Sequence, residues 1–269
     1  LKRMQPLGYK DLHKYHQKID FYIRMALMIE EAVANPPFVQ AVQGPEQEIG
    51  GKACNLSKLK DQLGMNVPEG FVINSRAFNF FLQTNNLRPV LDDLLSRVDL
   101  NNAQSLNELS SKMQKLVLEA DVPEELTSEV QGALREYGLE NCCLALRSSA
   151  VAEDSEASFA GQYESVLRVE PQTWQKAYKQ VLASKYSPQA ITYRIEQGLA
   201  DDMAPMAVLV LKMLEPDVSG IMYTKGIKKT RDSEIYLLRG SGEGLAAGRE
   251  KAEEVFLARK GHDIEAVRA

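Results

Sequence analysis

Cysteine and histidine are scarce in this sequence, and long apolar runs are missing. Three of the 269 residues are Cys and three are His. Cys54, Cys142 and Cys143 have neither the number of a disulfide framework nor the spacing of a zinc site, so we expect buried, reduced thiols. No run approaches the ~18 apolar residues of a membrane helix, and the N-terminus lacks the order of a signal peptide. These features exclude a disulfide scaffold and predict a cytoplasmic protein without a membrane partner.

An excess of positive charge is also missing. The formal net charge is −5 and the isoelectric point is near 5.4, so we expect no nucleic-acid partner. Hydrophobic residues make up 44% and charged residues 26% of the chain, which is ordinary for a globular protein of one large domain or two lobes. The first residue is Leu1 rather than methionine, and we expect the chain to be part of a longer protein.

Helix and strand patterns are mixed along the chain. Apolar residues at helical spacing predict a helix over 11–34, which Asn35-Pro36-Pro37 ends. Three more helical patterns occupy 89–138, and another runs over 174–198. Runs of apolar residues predict buried strands at 142–146, 206–214, 217–224 and 234–238. This order predicts an α+β fold with two lobes rather than a simple parallel sheet.

We divide the chain into three parts on this basis. Residues 1–43 form an N-terminal helical appendage or linker, 44–205 an N-terminal lobe with a helical insert, and 206–269 a truncated C-terminal lobe. His13 and His16 lie three residues apart near the start of the first helix. They could share a metal, but no third ligand is nearby, and a solvated helix face is the simpler interpretation.

A glycine pair leads into the second helix of the chain. Gly50 and Gly51 are followed by Lys52 and then by leucines at helical spacing. Lys52 would therefore stand at the N-terminus of a helix, where the backbone N–H groups and the dipole already favour an anion. A solvated surface lysine is the alternative.

The stretch from Arg147 to Glu164 follows the strand predicted at 142–146. It supplies an arginine, two hydroxyls, the acids Glu153 and Asp154, and a loop of small residues at 157–161. A guanidinium can bind phosphate oxygens in a bidentate manner, and small residues let backbone N–H groups approach an anion. The stretch is typical of a polyphosphate site, and an ion pair of Arg147 with the acids is the alternative.

Four segments in the same order resemble the N-terminal ATP-grasp domain of the phosphoenolpyruvate synthase and pyruvate phosphate dikinase family. They cover residues 49 to about 260 and comprise Gly50 to Ile73, Arg147 to Glu164, Ala190 to Gly220, and Gly242 to Gly248. A single glycine-rich loop would be weak support, but four ordered matches are specific. The resemblance implies an ATP-grasp-like, two-lobed domain with mixed sheets that binds ATP and Mg²⁺ between the lobes.

The resemblance also implies roles for residues of the first lobe. Lys52 and Arg147 would hold the phosphates of ATP and neutralise charge during phosphoryl transfer, as catalytic cations. The loop at 157–161 would close over the β- and γ-phosphates and contact them through Ser158, Phe159, Ala160 and Gly161.

Further roles are implied for the end of the chain. Residues Lys212, Met213 and Leu214 would form the hinge that lines the adenine slot, with Met213 against the base. Lys225 would contact the nucleotide, and Glu243 would be a magnesium ligand, because Mg²⁺ prefers carboxylate and phosphate oxygens. A core position for Met213 and a solvated Glu243 are the alternatives.

The family implies partners that this sequence does not contain. A histidine on a phosphohistidine domain receives the phosphoryl group, and a barrel domain acts on phosphoenolpyruvate and pyruvate; both would belong to the same full-length protein. His13, His16 and His262 do not match the phosphohistidine motif. We therefore expect an ATP-binding fragment of a phosphotransferase that is not active alone. An antibiotic or glucan phosphotransferase is a related possibility with a different final acceptor.

Three departures from the family pattern support a second hypothesis. Leu211 stands where the family has glutamine, Lys225-Gly226 replaces an arginine segment, and Tyr236 to Leu238 offers no acid or asparagine. A lysine keeps the charge but not the planar fork of arginine. The second hypothesis is a degenerate nucleotide-sensing or scaffold module without phosphotransfer, and the third is a relic of the fold without a ligand.

Overall fold

The computed structural model describes most of the chain, and it divides into two compact units. The described residues are 10–27, 34–150, 163–223, 233–246, 248–258 and 265–267. The first unit comprises residues 1–213 and the second comprises 214–269. Within the described ranges, no helix has the length and apolar character needed to span a membrane.

The first unit is built around a five-stranded sheet. Its strands in chain order are β1 (Val39–Ala41), β2 (Gly70–Ile73), β3 (Leu144–Ala150), β4 (Ser165–Val169) and β5 (Met206–Lys212). Their spatial order is β1-β2-β5-β3-β4, and each pair of neighbours is antiparallel. The family resemblance had led us to expect a mixed sheet, and this prediction is wrong for the first unit, whose sheet is entirely antiparallel. The reason is that β5 lies between β2 and β3 and runs opposite to both.

Helices flank this sheet, and the predicted helical patterns are confirmed where the structure describes them. The helix predicted over 11–34 is described as far as Leu27, and residues 28–33 lie outside the described residues. The patterns in 89–138 and 174–198 correspond to three and two helices, and Ser187 caps the last one by accepting from the backbone N–H of Ala190. The helices are α1 (Lys10–Leu27), α2 (Glu46–Leu63), α3 (Ser75–Thr84), α4 (Arg88–Ser96), α5 (Ala103–Glu119), α6 (Glu124–Glu136), α7 (Trp174–Ser184) and α8 (Pro188–Gln197).

Both faces of the central strands are apolar and covered. One face carries Phe71, Leu146 and Val208, which belong to the large core formed with the helices. The opposite face carries Leu209 and other apolar residues, which pack with Ile49 of α2 in a second, smaller cluster. Because side chains alternate along a strand, β5 supplies both clusters, and α2 is the helix that covers the second face.

The terminal parts of the first unit contribute to its core. Phe21 and Met25 of α1 are buried in the large cluster, and β1 pairs with β2. Much of the segment 1–43, which we predicted as an appendage or linker, is thus packed onto the unit. Strand β5, which we had assigned to the C-terminal lobe beginning at 206, pairs with β2 and β3 of the first unit.

The second unit is a four-stranded antiparallel sheet with one short helix. Its strands are β6 (Val218–Tyr223), β7 (Ser233–Arg239), β8 (Glu254–Ala258) and β9 (Glu265–Val267), in the spatial order β6-β7-β8-β9. Helix α9 (Glu243–Ala246) follows β7. The strands predicted at 217–224 and 234–238 are confirmed as β6 and β7, but they are not buried as we predicted. Most of their side chains are exposed or half-buried.

The three thiols are free but less buried than we predicted. Cys143 is exposed, whereas Cys54 and Cys142 are half-buried. Cys143 immediately precedes β3 and therefore lies outside the buried part of that strand.

A buried carboxylate joins three helical segments of the first unit. Asp201 is fully buried and lies 2.8 Å from Arg88 Nη1 and 3.0 Å from Lys185 Nζ, and it is also paired with Arg194. The Tyr186 hydroxyl donates to Asp201 Oδ2 over 3.1 Å. Burial would raise the pKa of Asp201, but the positive charges of Lys185, Arg194 and Arg88 outweigh it and hold that pKa below its ordinary value.

Loss of the Asp201 charge should destabilise the chain strongly. We expect Asp201→Asn to lower the free energy of unfolding by about 3 kcal/mol or more, because it leaves buried cations without their counter-charge. Since the pKa of Asp201 is lowered by folding, its stabilisation is present above the unfolded pKa of about 3.9 and is lost as the pH falls. Urea denaturation at neutral and acidic pH measures both effects.

The matched control is an aspartate of the same unit in a surface ion pair. Asp93 pairs with Arg97 four residues later on the surface, so Asp93→Asn should change the free energy of unfolding by about 0.5 kcal/mol or less. Equal losses for the two variants would contradict a special role of the buried carboxylate.

Candidate functional site

The glycine pair predicted before the second helix forms a sharp kink. Within α2, Gly50 has φ 74° and ψ 168°, a backbone region that only glycine occupies readily. A Cβ atom on Gly50 would stand 1.9 Å from the carbonyl oxygen of Ser149 in β3. The backbone of Gly50 therefore packs directly on β3, and the helix resumes at Gly51 with Lys52 in its first turn.

The hydroxyl of Ser149 connects the two sides of this kink. Its Oγ donates to the carbonyl oxygen of Ile49 over 2.7 Å and accepts from the backbone N–H of Ala53 over 3.1 Å. A helix start normally receives such a contact from the residue that precedes it. Here Ser149, which is fully buried, provides it from a strand almost a hundred positions later in the chain.

The neighbouring serine contacts the predicted phosphate lysine. Lys52 Nζ donates to Ser148 Oγ over 3.1 Å. Ser148 is fully buried, whereas Lys52 is half-buried. The contact places the ammonium group of Lys52 beside β3, next to the residue that follows Arg147.

Arg147 is the exposed residue of an otherwise buried strand. Because side chains alternate, it lies on the same face of β3 as Ser149, and its partner across the ladder is Leu209 in β5. No carboxylate among the described residues forms a salt bridge with Arg147. The alternative partners Glu153 and Asp154 lie outside the described residues, so that alternative stays open.

This arrangement is suited to an anion. Two cations from different elements, Lys52 and Arg147, are brought to the same strand, β3, through the contacts of Ser148 and Ser149. The first turn of a helix also carries backbone N–H groups that have no intrahelical partner, and these groups favour negative charge. The sequence analysis proposed Lys52 and Arg147 as phosphate-binding cations, but it did not predict the hydrogen-bond partners of Ser148 and Ser149.

The predicted hinge residues lie at the end of β5. The backbone N–H of Lys212 donates to the carbonyl oxygen of Glu69 over 2.9 Å, and that of Met213 donates to the carbonyl oxygen of Cys143 over 2.8 Å. The side chain of Lys212 is exposed and that of Met213 is half-buried. Leu214 is 55% exposed and begins the second unit.

Leu211, which stands where the family has glutamine, has a packing role. Its side chain is buried in the smaller apolar cluster, together with Val72 and Leu209. A polar side chain would lose this packing, so the leucine suits the face that α2 covers.

Glu243 begins the short helix of the second unit. The Ser241 hydroxyl donates to Glu243 Oε1 over 3.0 Å. The preceding turn is close-packed, since a Cβ atom on Gly242 would stand 2.8 Å from Cβ of Ser219. In the described ranges, no group of three His, Cys, Asp or Glu side chains could hold a metal ion.

Another carboxylate of this unit was missed by the sequence analysis. Glu234 lies two residues before Tyr236 on β7, and its carboxylate accepts the Tyr236 hydroxyl over 2.7 Å. Alternation along a strand places both side chains on one face and could have indicated the pair. The remaining predicted contacts lie outside the described residues, namely Ser158, Phe159, Ala160, Gly161 and Lys225.

Comparison with known proteins identifies similar sequences over most of the chain. Residues 46–269 match the family described as pyruvate phosphate dikinase, AMP/ATP-binding domain. A probable phosphoenolpyruvate synthase of Staphylothermus marinus is 31% identical over 217 residues, which are 77% of this chain and 26% of that protein. The phosphoenolpyruvate synthase of Neisseria meningitidis serogroup B is 30% identical over 224 residues, which are 78% and 28% of the two chains.

A relative with a different name matches the same region. A rifampicin phosphotransferase of Streptomyces sp is 34% identical over 207 residues, which are 75% of this chain and 24% of that protein. The chain thus spans between 24% and 28% of the length of these three relatives.

Substitution of Gly50 should damage the kink and with it the helix that carries Lys52. We expect Gly50→Ala to lower the free energy of unfolding by about 3 kcal/mol or more, since it combines a glycine-only conformation with a clash against the backbone of Ser149. Chemical denaturation measures the loss.

Gly64, at the other end of the same helix, is the matched control. It also has a positive φ, of 62°, but no atom lies within 4 Å of the position that a Cβ atom would take. Gly64→Ala should therefore lose only about 1 kcal/mol. If both substitutions were equally mild, the close packing of Gly50 on β3 would be refuted.

Proposed function

Because this chain belongs to the family of pyruvate phosphate dikinase AMP/ATP-binding domains, we propose that it binds Mg-ATP for phosphoryl transfer to a histidine on another domain. Lys52 and Arg147 bind the phosphates in this proposal. Both cations are suited to this task, because an ammonium attracts phosphate as a point charge and a guanidinium binds it with a planar fork.

One observation carries the proposal. The turn that presents Lys52 and the strand that presents Arg147 are joined by the Ser149 hydroxyl and by the direct packing of Gly50. A lysine and an arginine that are far apart in the sequence are therefore held at the same strand, β3. Each of these cations attracts an anion that reaches its end of β3.

The other predicted residues keep, in this proposal, the roles that the family resemblance implies. Lys212, Met213 and Leu214 line the adenine slot, and Lys225 and the loop residues Ser158 to Gly161 contact the phosphates. Glu243 of the second unit contributes a carboxylate oxygen to magnesium, whose other ligands include phosphate oxygens. Magnesium supplies further positive charge to the triphosphate when it is bound.

The final acceptor lies outside this chain in the proposal. The histidine that receives the phosphoryl group, and the domain that acts on phosphoenolpyruvate and pyruvate, belong to other parts of the same full-length protein. Relatives named phosphoenolpyruvate synthase and rifampicin phosphotransferase both match this region. We propose that the chain supplies the ATP-dependent step and that a different domain determines the acceptor.

Mg-ATP should stabilise this chain against unfolding, and the two cations should be needed for that effect. A ligand at a hundred times its dissociation constant stabilises the native state by about 2.7 kcal/mol. Arg147→Ala and Lys52→Ala should each weaken Mg-ATP binding by roughly ten- to hundredfold, because each removes charged hydrogen bonds to phosphate. Thermal unfolding at increasing Mg-ATP concentration and isothermal titration calorimetry measure these changes.

Matched controls remove equivalent charges elsewhere. Lys58 is an exposed lysine on the same helix as Lys52, and Arg135 is an exposed arginine on α6. Lys58→Ala and Arg135→Ala should leave Mg-ATP affinity within about twofold. An unchanged affinity of Arg147→Ala would remove that residue from the site, and no stabilisation of the unmodified chain by Mg-ATP would indicate a fold without a ligand.

The second candidate function is nucleotide sensing or scaffolding without phosphotransfer. Two features favour it: Leu211 is buried in an apolar cluster where the family has a polar residue, and the Tyr236 hydroxyl is paired with Glu234. Neither feature removes Lys52 or Arg147, so nucleotide binding without phosphotransfer is compatible with both.

Turnover should separate the two candidates. This chain alone should bind Mg-ATP without forming AMP or ADP, because we propose that the accepting histidine lies on another domain. The complete protein should form AMP or ADP from ATP, as measured by chromatography of the nucleotides. Tight binding without turnover in the complete protein would favour the sensing function over phosphotransfer.

A further inference from the structure

We infer that Ser149 is a positioning residue of the phosphate site, which holds the Lys52 turn in the conformation that faces an anion. This inference rests on the proposed function and adds a residue to which no role was assigned. Ser149 is fully buried, so it acts on the nucleotide only through the residues that it holds.

The Ser149 hydroxyl satisfies two backbone groups that the kink at Gly50 leaves open. The carbonyl oxygen of Ile49 precedes the kink and receives the hydroxyl hydrogen over 2.7 Å. The N–H of Ala53 follows the kink and donates to the same oxygen over 3.1 Å. A hydroxyl can donate and accept at once, whereas a methyl group can do neither and would leave two buried polar groups unsatisfied.

The two backbone groups that Ser149 contacts lie before and after Lys52 in the sequence. Because Ile49 and Ala53 lie on either side of Lys52, the bonds fix the backbone from which its side chain extends. The carbonyl oxygen of Ser149 also limits the position of Gly50, as a Cβ atom there would stand only 1.9 Å away. Ser149 thus sets the position of Lys52 relative to β3, which carries Arg147.

Ser148 has a different contact, which makes the assignment to Ser149 specific. Its Oγ accepts from Lys52 Nζ over 3.1 Å, so it contacts the charged end of the lysine side chain. Ser149 instead contacts the backbone of the turn. Loss of the Ser149 hydroxyl should therefore displace the turn, while the chemical groups that would meet phosphate are all retained.

The test compares Mg-ATP affinity by calorimetry in Ser149→Ala, Ser149→Cys and the control Ser110→Ala. Ser110 is a matched buried serine, since its hydroxyl donates to the carbonyl oxygen of Tyr186 over 2.7 Å and accepts from Gln114 over 3.1 Å. We expect Ser149→Ala to weaken binding about tenfold and Ser149→Cys to be intermediate, because a thiol hydrogen-bonds weakly. Ser110→Ala should lower the melting temperature without changing Mg-ATP affinity.

A double-mutant cycle distinguishes positioning from a general loss of structure. If Ser149 acts through Lys52, Ser149→Ala should weaken Mg-ATP binding by less than about twofold when Lys52→Ala is already present. A tenfold effect of Ser149→Ala in both backgrounds would overturn the inference, because the serine would then act independently of the lysine.

The outcomes separate the inference from the proposed function. No binding of Mg-ATP to the unmodified chain would refute both. Binding to the unmodified chain with equal affinity in Ser149→Ala and Ser110→Ala would refute the positioning role alone. If Ser149→Ala does not fold, Ser149→Cys carries the same comparison, and an unchanged affinity in that variant also refutes the role.

Discussion

The central sheet of the first unit is apolar on both faces, and the need to cover both faces determines where the candidate phosphate residues lie. The helices of the large core cover one face. Helix α2 covers the other with Ile49 and Ala53. Burial of these side chains is the favourable term that holds α2 against the sheet. The Lys52 turn belongs to the same helix, so it arrives beside β3 as a consequence of that packing.

Where α2 packs closely on β3, the chain must avoid a steric clash and must pair the buried backbone groups of the kink. Glycine meets the first requirement and serine the second. Gly50 lacks the Cβ atom that would collide with the carbonyl oxygen of Ser149. The kink leaves backbone groups unpaired inside the unit, and buried polar groups without partners are destabilising. Ser149 pairs with the carbonyl group of Ile49 and the N–H of Ala53. Stability and the placement of Lys52 thus depend on the same contacts.

Local patterns in the sequence predicted the helices and strands. They could not predict contacts between residues that are distant in the sequence. The strands predicted at 206–214 and 234–238 and the helices of 89–138 follow from periodicity. The phosphate roles of Lys52 and Arg147 come from the family resemblance and stay predictions. The insertion of β5 between β2 and β3 could not be predicted, because strand order depends on pairings over more than fifty residues. The same reason applies to Asp201, whose partner Arg88 is 113 positions away.

Burial distinguishes structural cations from the candidate ligand cations, although both kinds occur in the family-matched segments. Arg194 is fully buried and paired with Asp201, so a ligand cannot reach its guanidinium group. Arg147 is exposed on β3, where an anion can reach it. Lys52 is half-buried, and its ammonium group donates to the Ser148 hydroxyl. An anionic ligand can therefore reach Arg147, whereas Arg194 and Lys185 beside Asp201 are fully buried and closed to it.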